Sequence, residues 1–103
     1  MEGLCLALEQ AGADVRAARK TFFDRSHEAL HIIARAVQRV DRPAAARVLE
    51  AKQAVEAKFE GGPGPADLQA ALRRLLAAAR AALGRLSVEH PTCPIEAGIG
   101  NGA

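Results

Sequence analysis

Apolar residues recur every three or four positions along most of this chain, and nowhere do they alternate. That spacing builds the stripe of an amphipathic helix, whereas a half-buried strand needs a period of two. The fold class is therefore all-α. Two interruptions divide the pattern. Asp41-Arg42-Pro43 places a good capping residue ahead of a proline that fits the first turn of a new helix. Glu60-Gly61-Gly62-Pro63-Gly64-Pro65 reads as a loop. The expectation is an antiparallel three-helix bundle over residues 1–90, in which residues 3–11 can add a short fourth helix. From Pro91 onward Pro, Gly and Asn dominate, and 91–103 reads as a flexible tail.

Each segment has its own seam. Asp14 can cap a helix running to Val40, with Phe23, Ser26, Leu30, Ile33, Val37 and Val40 at spacings of 3, 4, 3, 4, 3 and with Phe22 and Ala34 widening the face. A second helix from about Ala44 to Phe59 carries Ala45, Val48, Ala51 with the stem of Lys52, Val55 and Phe59. The third, opened by Pro65 with Asp67 near its positive end, aligns Leu68, Leu72, Leu75, Ala79, Ala82 and Leu86. Its arginines, Arg73, Arg74, Arg80 and Arg85, lie mostly on the other side. Hydrophobic residues make up 50% of the chain but aromatics only 3%, so the core has to come from close helix approach rather than bulky side chains. Self-association, as in a dimer, would bury what remains of the stripes.

Charge excludes little but points away from nucleic acid. A net charge of +2 is too balanced, the arginines share their helices with glutamates, and no aromatic platform accompanies them. No uncharged apolar run approaches the roughly 20 residues that span a bilayer. Glu2 follows the start and no basic stretch precedes Leu4-Cys5-Leu6-Ala7-Leu8, so a cytoplasmic protein is expected. The two cysteines, Cys5 and Cys93, make neither a disulfide framework nor a CxxC pair. Cys5 reads as a small hydrophobe, and Cys93, flanked by prolines, as exposed and oxidisable.

One segment carries candidate chemistry. His27-Glu28-Ala29-Leu30-His31 matches HExxH, in which two imidazoles one turn apart hold zinc and the glutamate activates the metal-bound water. His27 and His31 are thus the candidate metal ligands, with zinc the candidate cofactor and Glu28 the candidate base. Helix geometry argues against a hydrolase. With Leu30 at zero and about 100° per residue, His27 falls near +60°, His31 near +100° and Glu28 near 160°, so the pair only flanks the seam. Val37 stands where an extended motif has its third histidine. His90 and Cys93 could contribute ligands only if the tail bent back. The expectation is no catalytic residue, no bound cofactor, and a pair of structural or solvated histidines.

The stretch from Phe23 to Glu60, FDRSHEALHIIARAVQRVDRPAAARVLEAKQAVEAKFE, resembles the helical hairpin of PhoU-like domains, and more closely those attached to the cytosolic end of sodium/phosphate cotransporters. Asp41 in the turn, then Ala45, Val48, Leu49 and Lys52, stand at that family's offsets. The family's acidic metal-cluster pair is not matched: Lys52 and Glu56 stand there, spaced for an i,i+4 salt bridge. The resemblance implies a regulatory domain beside a phosphate transporter, working through a protein partner or a second copy of itself. Beside it stand a stand-alone oligomerising adaptor and the zinc hydrolase.

Overall fold

The computed structural model describes residues 2–61, 65–87 and 93. The described chain is helical, with no strand among the described residues: α1 (Glu2–Ala11), α2 (Val15–Thr21), a π-helical turn (Phe22–Ser26), α3 (His27–Gln38), α4 (Arg42–Gly61) and α5 (Pro65–Arg85). Thr21, Phe22 and His27 keep right-handed helical dihedrals, so α2, the π turn and α3 form one continuous rod. The described residues thus form four helical rods, the short N-terminal helix joining the three longer ones. None of the described helices is long and apolar enough to cross a membrane.

The N-terminal helix is an integral part of the core. Leu4, Cys5, Ala7, Leu8 and Ala11 are buried, at the i, i+3, i+4, i+7 spacing of one helical face. It packs on α2, the π turn and α5. After Gly12 the chain turns, with the Asp14 amide donating to the Gln10 carbonyl at 2.7 Å. The Asp14 carboxylate then accepts from the Ala17 amide at 3.2 Å and caps α2. Thr21 Oγ1 donates to Gln10 Oε1 at 2.6 Å, tying the first rod to the second.

Where α1 crosses the π turn, Gly3 is required. A Cβ there would lie 2.7 Å from Arg25 Cβ and 3.1 Å from the Arg25 carbonyl carbon, too close for any side chain. Gly3→Ala is expected to cost about 1–3 kcal/mol by overpacking. Gly84, inside α5 with nothing within 4 Å of its notional Cβ, is the opposite case. Gly84→Ala should gain about 1 kcal/mol through helix propensity. Urea melts of both variants check the pair, and equal effects would mean that α1 does not approach so closely.

The π turn also explains a misplaced seam. The regular 3.6-residue period puts Phe23 and Val40 on the buried face, but Phe23 is 39% and Val40 56% exposed. Phe22, Ser26, Leu30, Ala34 and Val37 are buried as the seam has them, joined by Ala18 and Thr21, while Ile33 is half-buried. Steps of four overshoot an α-turn by about 40° each, so an unbroken α-helix would carry this set around the rod. The π turn widens one turn, its closing bond running from the His27 amide to the Phe22 carbonyl, and takes up part of that drift. Val40 falls in the turn after α3, where its amide bonds the Val37 carbonyl.

Beyond that turn most of the pattern holds, but Ala51 and Leu86 are half-buried and α4 runs on through Glu60 and Gly61, which read as loop in the sequence. Asp41 Oδ1 accepts from the Ala44 amide at 3.0 Å as the cap of α4. Its other oxygen meets Arg85 Nε at 3.0 Å, which places the start of α4 beside the end of α5. Ala45, Val48, Lys52, Val55 and Phe59 are buried on α4, and Leu68, Leu72, Leu75, Ala79 and Ala82 on α5. Alanine outnumbers leucine among the buried apolar residues, which lets the backbones approach closely but leaves little apolar area per residue.

The cysteines depart most from expectation. Cys93 is fully buried, and it forms a disulfide with Cys5 across 88 residues, with a Cα–Cα distance of 5.3 Å. Both the exposed thiol and the isolated small hydrophobe are therefore corrected. Only tertiary packing brings α1 to the chain beyond α5, and two cysteines so far apart carry no local signal of pairing. The rest of the segment expected as a tail, 91–92 and 94–103, lies outside the described residues.

Candidate functional site

His27 and His31 sit one turn apart at the start of α3, with ring centroids 4.9 Å apart and the rings inclined at 62°. The partner helix decides what they can do. α3 packs on α4 in opposite directions, so the beginning of one meets the end of the other. Lys52 and Glu56, one turn apart on α4, thereby face His27. The Lys52 ammonium donates to both carboxylate oxygens of Glu56, at 3.1 and 3.0 Å. It also stands 3.4 Å from His27 Nε2. The same ring nitrogen is 3.2 Å from Glu56 Oε2.

The three groups form a closed polar triad between two apolar stripes. Lys52 is only 6% exposed, so its charge would be costly without Glu56. Glu56 and His27 reach the surface in part, with side-chain exposures of 23% and 37%. His27 Nε2 can carry a proton and donate to Glu56, or lack one and accept from Lys52, but it cannot do both at once. Beside the triad lies an aromatic cluster made from all three phenylalanines of the chain. Phe22 and Phe23 meet edge to face at 5.2 Å, and Phe59 lies 5.7 Å from Phe22 and 6.1 Å from Phe23. Phe23 also approaches His27 at 5.9 Å, and the Arg19 guanidinium lies 5.8 Å from the Phe23 ring centre.

This arrangement is a poor receptor for zinc. The HExxH pair is present on a helix, but His27 turns its Nε2 toward an ammonium and a carboxylate that already pair with each other. A divalent cation there would meet the Lys52 charge at short range. His31 and Glu28 are exposed, so the glutamate does not join the histidines in a cleft. Among the described residues no group of three or more His, Cys, Asp and Glu is placed to hold a metal ion. His90 lies outside the described residues, and Cys93 is committed to Cys5.

The i,i+4 bridge between Lys52 and Glu56 follows from spacing and is found. The part of His27 is not legible from one helix, since it depends on the register of α3 against α4. The available signals were the place of His27 at the seam edge and that of Lys52 within the α4 stripe. Lys52→Met should cost about 1–2 kcal/mol, below the full penalty of a broken buried pair because water reaches Glu56. Combined with Glu56→Gln in a double-mutant cycle, a coupling of about 0.5–3 kcal/mol is expected from denaturant melts. Strict additivity would show that the triad is not an energetic unit.

No protein-family model matches the chain, and neither a curated protein nor a solved structure matches it significantly.

Proposed function

We propose that this protein is a non-enzymatic helical accessory domain of the cytosol, tied to phosphate transport, which acts by presenting a helix face to a protein partner. The observation that carries the interaction reading is the exposed side of α3 and the turn that follows it. Ile32 and Val40 are 58% and 56% exposed, the most exposed large apolar residues described, and Arg35 and Arg39 are exposed on the same helix and its cap. Aliphatic side chains between arginines suit a partner surface that is part apolar and part acidic. The phosphate link rests on the stretch 23–60. Its matching positions have structural tasks: Asp41 caps α4, while Ala45, Val48 and Lys52 are buried in the hairpin.

The adaptor reading rests on the same exposed residues, with a second copy of the chain as the partner. The zinc-hydrolase reading is disfavoured by the engagement of His27 with Lys52 and Glu56. The test is deletion of the gene, with phosphate uptake measured in limiting and replete medium. Altered uptake restored by the wild type but not by Ile32→Asp supports the proposal. Unchanged uptake removes the phosphate link. A dimer in sedimentation that Ile32→Asp dissolves would move the reading to self-association.

A further inference from the structure

The Cys5–Cys93 bond joins the shortest rod to the chain beyond α5, and it bears on how the fold responds to its surroundings. Cys93 is fully buried and Cys5 is 8% exposed. α1 has ten residues, a length at which a helix in water is marginal without tertiary support. Among the described residues its noncovalent anchors are the apolar face of Leu4, Ala7, Leu8 and Ala11 and the Gln10–Thr21 hydrogen bond. The disulfide adds a covalent anchor at the edge of that face, where Cys5 lies about 100° around the helix from Leu4. Thiol pools keep such bonds open in a reducing cytosol, where disulfides are usually transient and redox-sensing.

We propose that Cys5 and Cys93 are a redox-operated clasp, closed by oxidation to lock α1 onto the bundle and opened by a protein dithiol to loosen it. This uses the cytosolic setting of the proposed function but not its link to phosphate. Closing transfers two electrons and two protons from the two thiols to a disulfide acceptor, which becomes a dithiol. Opening is the reverse. One thiolate of the dithiol attacks a cysteine sulfur to form a mixed disulfide and expels the other cysteine as thiolate. Its second thiol then resolves the mixed bond, leaving two cysteine thiols and an oxidised dithiol. Because the closed bond is shielded, attack requires a local opening first, so the clasp opens slowly once made.

The test compares the purified full chain after treatment with oxidised glutathione and with dithiothreitol. The oxidised form should melt about 10 °C or more above the reduced form. Amides of residues 2–11 should exchange at least tenfold faster after reduction, while α4 and α5 stay protected. The double variant C5S/C93S should match the reduced protein in both buffers; if it does not fold, the two wild-type states decide alone. Two alkylatable thiols remaining after oxidation would overturn the proposal. So would equal exchange of α1 in both states, or loss of the whole fold on reduction. In cells, rapid alkylation should find the thiols free at rest and joined after a disulfide-forming oxidant. A pair that is always joined, or never joined, would also overturn it.

Discussion

Phe22→Ala is expected to cost about 3–5 kcal/mol, in the upper range for a single truncation. Phe22 is fully buried at the first position of the π turn and touches both other aromatic rings. Its removal takes away the transfer energy of the ring and leaves a cavity. Its neighbours one turn away on the same rod, Ala18 and Ser26, are too small to refill it. The control is its neighbour. Phe23→Ala removes a ring of the same size that is 39% exposed, held by partial stacking and the Arg19 guanidinium, and should cost about 1 kcal/mol. Urea melts of the two variants measure the phase of the helix directly. A reversed order would restore the uninterrupted α-helical seam and remove the π turn.

Leu75→Ala should cost about 2–5 kcal/mol. Leu75 is fully buried in the middle of α5, one turn from Leu72 and Ala79 on its own helix. A core with so many alanines has few long side chains that can swing into the space left behind. Against a total stability of about 5–15 kcal/mol, the loss is a large share of what holds the fold. Arg74→Ala, one position earlier on the exposed side, should stay within about 0.5 kcal/mol. Thermal and denaturant melts check both. A larger loss at Arg74 would mean that its side chain has a buried or intersubunit task.

These two comparisons mark what the sequence makes legible. The face around Leu75 follows from local spacing alone, since an unbroken helix fixes which residues share a side. The Asp41 cap and the α4 stripe are legible for the same reason, their geometry being settled within a few residues. Phe22 and Phe23 are not, because the regular period cannot announce that one turn will be widened. The widened turn lies against α1 at Gly3, some twenty residues away, a contact that no local pattern announces. At the candidate site the bond from Lys52 to Glu56 is local and was legible. The contact of either with His27 spans two helices and was not. The pairing of Cys5 with Cys93 lies further still from any local signal.

The long-range disulfide has a topological consequence. Residues 5 to 93 form a covalent ring, since the backbone runs one way between the two cysteines and the sulfur bridge closes the other. A single peptide cut anywhere inside the ring opens it without releasing a fragment. A protease that nicks the connection between α4 and α5 would yield one species without reductant and two with it. Such a nicked protein keeps α1 through α4 attached to α5 at full effective concentration, so a backbone break that would separate an ordinary helical bundle becomes a change of connectivity.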